Sequence, residues 1–325
     1  MDNVAHLPAS DRAVLFQSTA DKMGIVPTIA EKDFWVCWTL KHLFSLPSLR
    51  DRLIFKGGTT LSKVYGVIKR FSEDIDLTLD RRLFGIEDER DPENATGTNE
   101  RRRRLKAMAE ACSAYVRGPL RTLVADELMN ALGPVREGCD VVVDQDDPDG
   151  ESLLFHYPGA VEVDSSSYVL PFVKLEFGSR GDPWPTETSS IQPYAADYFS
   201  DAFEDAESTV VALKAERTFW EKATILHQEA HRSQKKSPPP RCSRHYYDLA
   251  LLAQSPIREK ALEDLDLLER VVQHKNDFFR CGWAKYDEAK PGTFRLVPPD
   301  FRLSGLQNDY EHMRARMLED PPSSE

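Results

Sequence analysis

No apolar run in this 325-residue chain reaches the length that crosses a bilayer. The amino terminus, Met1-Asp2-Asn3-Val4-Ala5-His6, lacks the charged-then-apolar pattern of a secretory leader, so the expected location is the cytoplasm, with no membrane partner. Cysteines are few and scattered. Cys37, Cys112, Cys139, Cys242 and Cys281 show no paired ligand spacing, which reads as reduced thiols rather than a disulfide framework. The histidines lack zinc-ligand spacing, and no Ser/His/Asp or Cys/His array stands out. Positive charge is in deficit, with 42 Lys and Arg against 54 Asp and Glu and a net charge of −12. That excludes a broad electrostatic grip on nucleic acid and leaves any such contact to local basic patches. There is no internal repeat. Hydrophobic content of 41% and charged content of 30% are ordinary for a globular protein, and the length suits one large or two interlocked domains.

What is present centres on Phe71-Ser72-Glu73-Asp74-Ile75-Asp76-Leu77-Thr78-Leu79. On a strand, Asp74 and Asp76 share one face while Ile75, Leu77 and Leu79 turn into a core. Two carboxylates on one face repel unless a cation lies between them, and hard oxygen donors suit Mg²⁺. Upstream stands Phe55-Lys56-Gly57-Gly58-Thr59-Thr60-Leu61-Ser62. A Gly-Gly pair is by itself more often a turn than a phosphate cradle. Here the order is strand, Gly-Gly, hydroxyl residues, helix, then Asp-x-Asp on the next strand, which brings glycines and carboxylates to one end of adjacent strands. Gly57 and Gly58 would let backbone N–H groups approach phosphate, Thr59 and Ser72 would offer hydroxyls, and Lys56, Lys63, Lys69 and Arg70 are local cations. A two-metal site takes a third carboxylate, and the candidate is Glu176 in Phe172-Val173-Lys174-Leu175-Glu176-Phe177. Spacing alone leaves open whether Lys174 and Glu176 are instead ordinary solvent-facing residues of a half-buried strand.

The rest of the chain reads as an α+β amino-terminal half followed by a helical half. Helices are expected over the first forty-odd residues, the second opening at Pro27-Thr28 and ended by Pro47. Leu53 to Lys56 reads as a strand, Thr60 to Val67 as a short helix and Asp74 to Leu79 as a strand. A loop from Phe84 to Asn99 leads to one long helix from Glu100 to Leu132. Strands at Val141–Val143, Leu153–Phe155 and Tyr168–Phe177 form an antiparallel meander, the first two joined by the turn Asp146-Asp147-Pro148-Asp149-Gly150. After the break at Gly181–Pro185, a strand at Val210–Leu213 precedes a helix from Ala215 to His231. Helices around Tyr246–Ala253, Pro256–Lys275 and Leu306–Leu318 follow, with a frayed tail from Pro321. The expected division is a core of residues 1–205, with its amino-terminal helices and a long insertion, and a helical domain of 206–325 that completes the active site.

The glycine and Asp-x-Asp stretches resemble the first motif of the AbiEii-type nucleotidyltransferase toxins, within the DNA polymerase β-like nucleotidyltransferase superfamily. Glu31-Lys32-Asp33, Lys174-Leu175-Glu176, Thr218-Phe219-Trp220-Glu221-Lys222 and Arg244-His245-Tyr246-Tyr247-Asp248-Leu249 extend the resemblance over most of residues 31–252. The first motif is shared across the superfamily, and the last pair narrows it to the toxins. The resemblance implies an α+β fold with a nucleotidyltransferase-type mixed sheet. It implies Mg²⁺ on Asp74 and Asp76, Lys222 on the triphosphate and Asp248 completing the site. Without it, Lys222 reads as a solvated helix residue and Asp248 as a cap or salt-bridge partner. His245 is a departure, because many relatives carry an acidic residue there.

The expected activity is Mg²⁺-dependent transfer of a nucleotide from an NTP to an RNA acceptor, the tRNA 3′ end, by the toxin of a bacterial toxin–antitoxin or phage-defence system with a cognate antitoxin. The rivals are nucleotidylation of a small molecule or protein, which the acidic surface slightly favours, and a catalytically silent NTP-binding regulator. Two basic stretches are left over. Arg101–Arg104 with Lys106 reads as a solvated face neutralised by Glu87, Asp88, Glu89 and Asp91, or as an RNA-backbone contact. Lys235, Lys236 and Arg241 form a proline-stiffened loop that could guide a nucleic-acid end. Trp35, Trp38, Trp184, Trp220 and Trp283 read as core, and His227 as structural.

Overall fold

The structure, a computed structural model, describes residues 1–162, 169–314, 317 and 318. The chain forms two compact units: Met1–Val64 with Ser72–Ala212, and Tyr65–Phe71 with Leu213–Glu325.

The first unit opens with helices α1 (Asp2–Ala5), α2 (Ala9–Met23) and α3 (Pro27–Ser45). Gly24, left-handed at φ 69°, terminates α2, and Pro27 opens α3 where its missing N–H costs nothing. Helix α3 is buried on nearly all sides, and its aromatic residues build much of the core. Trp35 stacks on Tyr157 at 5.4 Å, and Trp38 on Phe155 at 5.9 Å. Strand β1 (Leu53–Lys56) runs directly into helix α4 (Gly57–Lys63), and β2 (Ile75–Leu79) follows. The helix expected at Thr60–Val67 thus begins three residues earlier, on the glycine pair itself, and Asp74 stands just before its strand rather than in it.

Three short 3₁₀ turns punctuate the expected loop. The expected single helix from Glu100 is α5 (Thr98–Tyr115) and α6 (Arg121–Leu132), joined by a π turn at Val116–Leu120. Pro119 inside that turn has no N–H for an α-helical bond, which accounts for the change of pitch. Strands β3 (Asp140–Val143), β4 (Ser152–His156) and β5 (Val173–Gly178) pair antiparallel in sequence. The β5 strand starts later than expected, and Tyr168 and the tail from Pro321 lie outside the described residues. An unexpected strand, β6 (Thr186–Ile191), precedes α7 (Tyr194–Tyr198) and β7 (Ser208–Leu213). Its residues Thr-Glu-Thr-Ser-Ser are polar and largely exposed, as at a sheet edge, so they carry no hydrophobic alternation to read.

Among the described residues, seven strands form one mixed sheet in the order β3-β4-β5-β2-β1-β7-β6. β2 pairs antiparallel with β1 and parallel with β5, and β1 pairs parallel with β7. Ile75, Leu77, Val173, Leu175 and Phe177 are buried in the core, while Asp76, Lys174 and Glu176 alternate with them.

The second unit is helical: α8 (Ala215–Ala230), α9 (Ser243–Gln254), α10 (Ile257–Glu263), α11 (Leu265–Phe278) and α12 (Asp300–Arg314). The helix expected over Pro256–Lys275 is two, because the Asp264 carboxylate accepts from the Leu267 N–H at 3.0 Å and caps a new start. The last helix starts earlier than expected and is described over Asp300–Arg314. Among the described residues no helix is long and apolar enough to cross a membrane.

Candidate active site

In the first unit, register gathers the acidic residues. Asp76 on β2 is the partner of Lys56 on β1 and of Glu176 on β5, and Glu176 is in turn the partner of Ser152 on β4. Register partners share a face, so Lys56, Asp76, Glu176 and Ser152 form a row across four strands. Glu176 is accordingly next to Asp76. Burial and then the Asp76 charge push its carboxyl up from the usual range, while the ion pair with Lys174 at 3.0 Å opposes this. Lys174 also pairs with Asp144 at 3.1 Å.

Gly57 closes the row from the β1 end. Its φ is +83°, and a Cβ placed there would lie 2.0 Å from Asp76 Oδ2. Only glycine leaves room for that carboxylate and adopts that backbone without strain. The next residues fix the loop that carries Asp74. Thr59 is fully buried, and its hydroxyl donates to the Asp74 carbonyl at 2.5 Å and lies 3.0 Å from Ser72 Oγ. That hydroxyl, expected on phosphate, is turned inward by the fold. Lys63, another expected local cation, is likewise buried, on Asp33 at 2.8 Å.

The chemistry of this donor set fits a divalent cation. Asp76 and Glu176 are hard oxygen donors crowded side by side, and a cation between them removes their repulsion. Among the described residues no group of three or more His, Cys, Asp or Glu side chains is assembled to hold a metal. The fit is therefore that of an acidic pair with Asp74 two residues along, not of a finished three-carboxylate cage.

In the second unit, Asp248 is completely buried between two cations. Arg70 donates to both its oxygens at 2.8 and 2.9 Å, and Lys222 Nζ lies 2.8 Å from Oδ2. Burial works against the charge of Asp248, but Lys222 and Arg70 outweigh it and hold the carboxyl below the usual range. Burial lowers the Lys222 ammonium from its ordinary value, with Asp248 opposing and Arg70 assisting the shift. Lys222 also donates to His245 Nδ1 at 3.2 Å. Burial and then the Lys222 charge hold His245 well below its ordinary range, in the neutral form that can accept this bond. Lys222 is thus no solvated helix residue. Arg70 and His245 are the partners that sequence reasoning did not assign, and the spacing of Lys222 on α8 carries no signal for either. His227 is structural: Nε2 donates to the Lys285 carbonyl at 3.0 Å, and Nδ1 accepts from the Arg295 N–H at 3.1 Å.

The basic run on α5 is held differently from expectation. Arg104 pairs with Glu100 at 2.7 Å and donates to the Asp91 carbonyl, and Arg101 donates to the Pro92 carbonyl. Arg102, Arg103 and Lys106 are exposed.

A mixed sheet thus sets an acidic pair beside a glycine strand-to-helix junction, and a helical unit follows along the chain. A family model described as "Nucleotidyl transferase AbiEii toxin, Type IV TA system" matches residues 38–325. The chain belongs to that family and is a nucleotidyltransferase toxin of a type IV toxin–antitoxin system. Among solved structures it is similar to the nucleotidyltransferase toxin MenT4 from Mycobacterium tuberculosis H37Rv, with 18% identity and a TM-score of 0.47 over 95% of this chain and 90% of that one. No curated protein matches it in sequence.

Proposed function

We propose that this enzyme transfers a nucleoside monophosphate from an NTP to the 3′ end of an RNA, with tRNA as the acceptor, and that Asp74, Asp76 and Glu176 hold Mg²⁺. The observation that carries the reading is the register pairing of Asp76 with Glu176 beside Gly57. Bound divalent ions supply a lowered pKa for the attacking hydroxyl and neutralise the departing charge. The chain's own groups do the rest. Gly57 and Gly58 are proposed to offer backbone N–H groups to phosphate oxygens, and Lys174, paired with Glu176 at 3.0 Å, favours the charged form of that carboxylate. Lys222 is proposed to meet the triphosphate as a point charge, held ready by Asp248 and His245. The acceptor hydroxyl forms a new O–P bond at the α-phosphorus as the bond to pyrophosphate breaks.

The test is incubation with each α-labelled NTP, Mg²⁺ and total tRNA. Label migrating with tRNA supports the reading. Label that moves instead onto a cationic small molecule or a protein overturns the acceptor assignment and favours the rival suited to an acidic surface. A role in phage defence is part of the same proposal, and it predicts loss of protection in the catalytically dead variant.

A further inference from the structure

Three consecutive charged residues of α3, Glu31, Lys32 and Asp33, are each no more than 2% exposed. Charged side chains are rarely buried so fully, and three in one turn carry a heavy desolvation cost. Neighbouring helix positions point about 100° apart, so the run reaches three different segments. Glu31 accepts from the N–H groups of Ala160 and Val161 at 2.6 and 3.3 Å. Lys32 Nζ pairs with Glu73 at 2.8 Å, donates to the Leu170 carbonyl at 3.0 Å and lies 5.2 Å from the centre of the Phe172 ring. Asp33 accepts from Lys63 Nζ at 2.8 Å and from the Tyr194 N–H at 2.6 Å. Lys63 in turn sits 3.8 Å from the Tyr194 ring centre.

The partners are what make the arrangement informative. Glu73 immediately precedes Asp74. Lys63 is the last residue of α4, whose first residue, Gly57, packs on the Asp76 carboxylate. A helix this short behaves as a rigid rod, so pinning its far end fixes where its glycine end lies. Apolar residues of equal volume would pack α3 as well or better, which makes stability a poor reason for these charges.

We infer that Lys32 and Asp33 are positioning residues of the nucleotidyl-transfer site, Asp33 through Lys63 fixing the glycine loop for the NTP and Lys32 through Glu73 fixing the Asp74 approach for the metal. This rests on the nucleotidyl-transfer reading above. It divides one helix turn between two functions, so two neighbouring ion pairs have different kinetic signatures.

The experiment uses two neutral, volume-keeping pairs in the full chain, Asp33→Asn/Lys63→Met and Lys32→Met/Glu73→Gln, with a thermal melt as the folding control. The first raises the KM for NTP about tenfold with kcat little changed, and weakens nucleotide binding by equilibrium dialysis without metal to the same degree. The second lowers kcat about tenfold or more and raises the half-saturating Mn²⁺ measured by electron paramagnetic resonance, with the KM for NTP near wild type. Should either pair fail to fold, Asp33→Glu and Glu73→Asp keep the charge, shift the carboxylate by one methylene and carry the same respective expectations. Folded variants with wild-type KM, kcat and Mn²⁺ binding overturn the inference, as do variants whose losses only track the fraction folded. Asp76→Ala is run alongside. If it retains full turnover the transfer reading itself fails, whereas its inactivity beside unperturbed pair variants removes the positioning role alone.

Discussion

Position 57 has no room for a side chain. An alanine there would strain a backbone at φ +83° and drive Cβ into the Asp76 carboxylate. Gly57→Ala is therefore expected to lower transfer about 100-fold, in the range that a small misplacement of reacting groups costs, with the melting temperature reduced only modestly. Steady-state kinetics beside a melt check this. Glu151 makes a separate prediction in pH. Burial raises its carboxyl to about 7, above its ordinary value of 4.5. Between those values the folded chain binds more protons than the unfolded one, so this group's stabilisation is complete below 4.5 and lost as pH rises through 7. Glu151→Gln should raise the unfolding midpoint at pH 8 and give no gain at pH 4.5. Urea melts at the two pH values read the difference directly. At this scale the sequence was partly legible. The alternation of Asp76, Lys174 and Glu176 with apolar neighbours is a local pattern, and it is visible in any one strand. The inward turn of Thr59 and the burial of Lys222 depend on what distant segments place against them, which periodicity does not encode.

Among elements, the strand-to-helix junction at β1 and α4 was read correctly in order but not in extent. Glycine is a poor helix former, so a helix starting on Gly57-Gly58 goes against propensity, and tertiary context decides it. The same limit applied to α10 and α11, where one aspartate cap divided what looked like a single periodic stretch, and to Pro119, which sets a π turn between α5 and α6. The strand neighbours of β2 are also long-range facts. Asp76 and Glu176 are 100 positions apart in sequence, and only the parallel pairing of β2 with β5 makes them adjacent. In the helical unit, α8 and α9 are tied by Asp248. Asp248→Asn removes the counter-charge from both Arg70 and Lys222 and is expected to destabilise that unit by about 3–5 kcal/mol, measured by denaturant unfolding. A variant as stable as wild type would show that these cations find solvent or other partners instead.

For the whole molecule, the acidic balance confines any RNA contact to exposed local cations, and α5 offers Arg102, Arg103 and Lys106. If they neutralise phosphates, Arg102→Glu/Arg103→Glu should weaken RNA binding and flatten its log–log salt dependence by about 1 to 2 units of slope, leaving the KM for NTP unchanged. Affinity measured across a salt series tests it. The change from mixed to helical character along the chain was legible. That Tyr65–Phe71 groups with the helical unit was not, because its partners are distant in sequence, Arg70 pairing with a residue 178 positions later. Whether the carboxylates at β2 and β5 carry the proposed nucleotidyl transfer is tested by a single comparison. Wild type and Asp76→Ala, matched for folding by their melts, are given α-labelled NTP, Mg²⁺ and tRNA, and initial rates are recorded. Wild type should label the RNA while the variant leaves it unlabelled; equal rates from both proteins would mean that Asp76 has no part in the transfer.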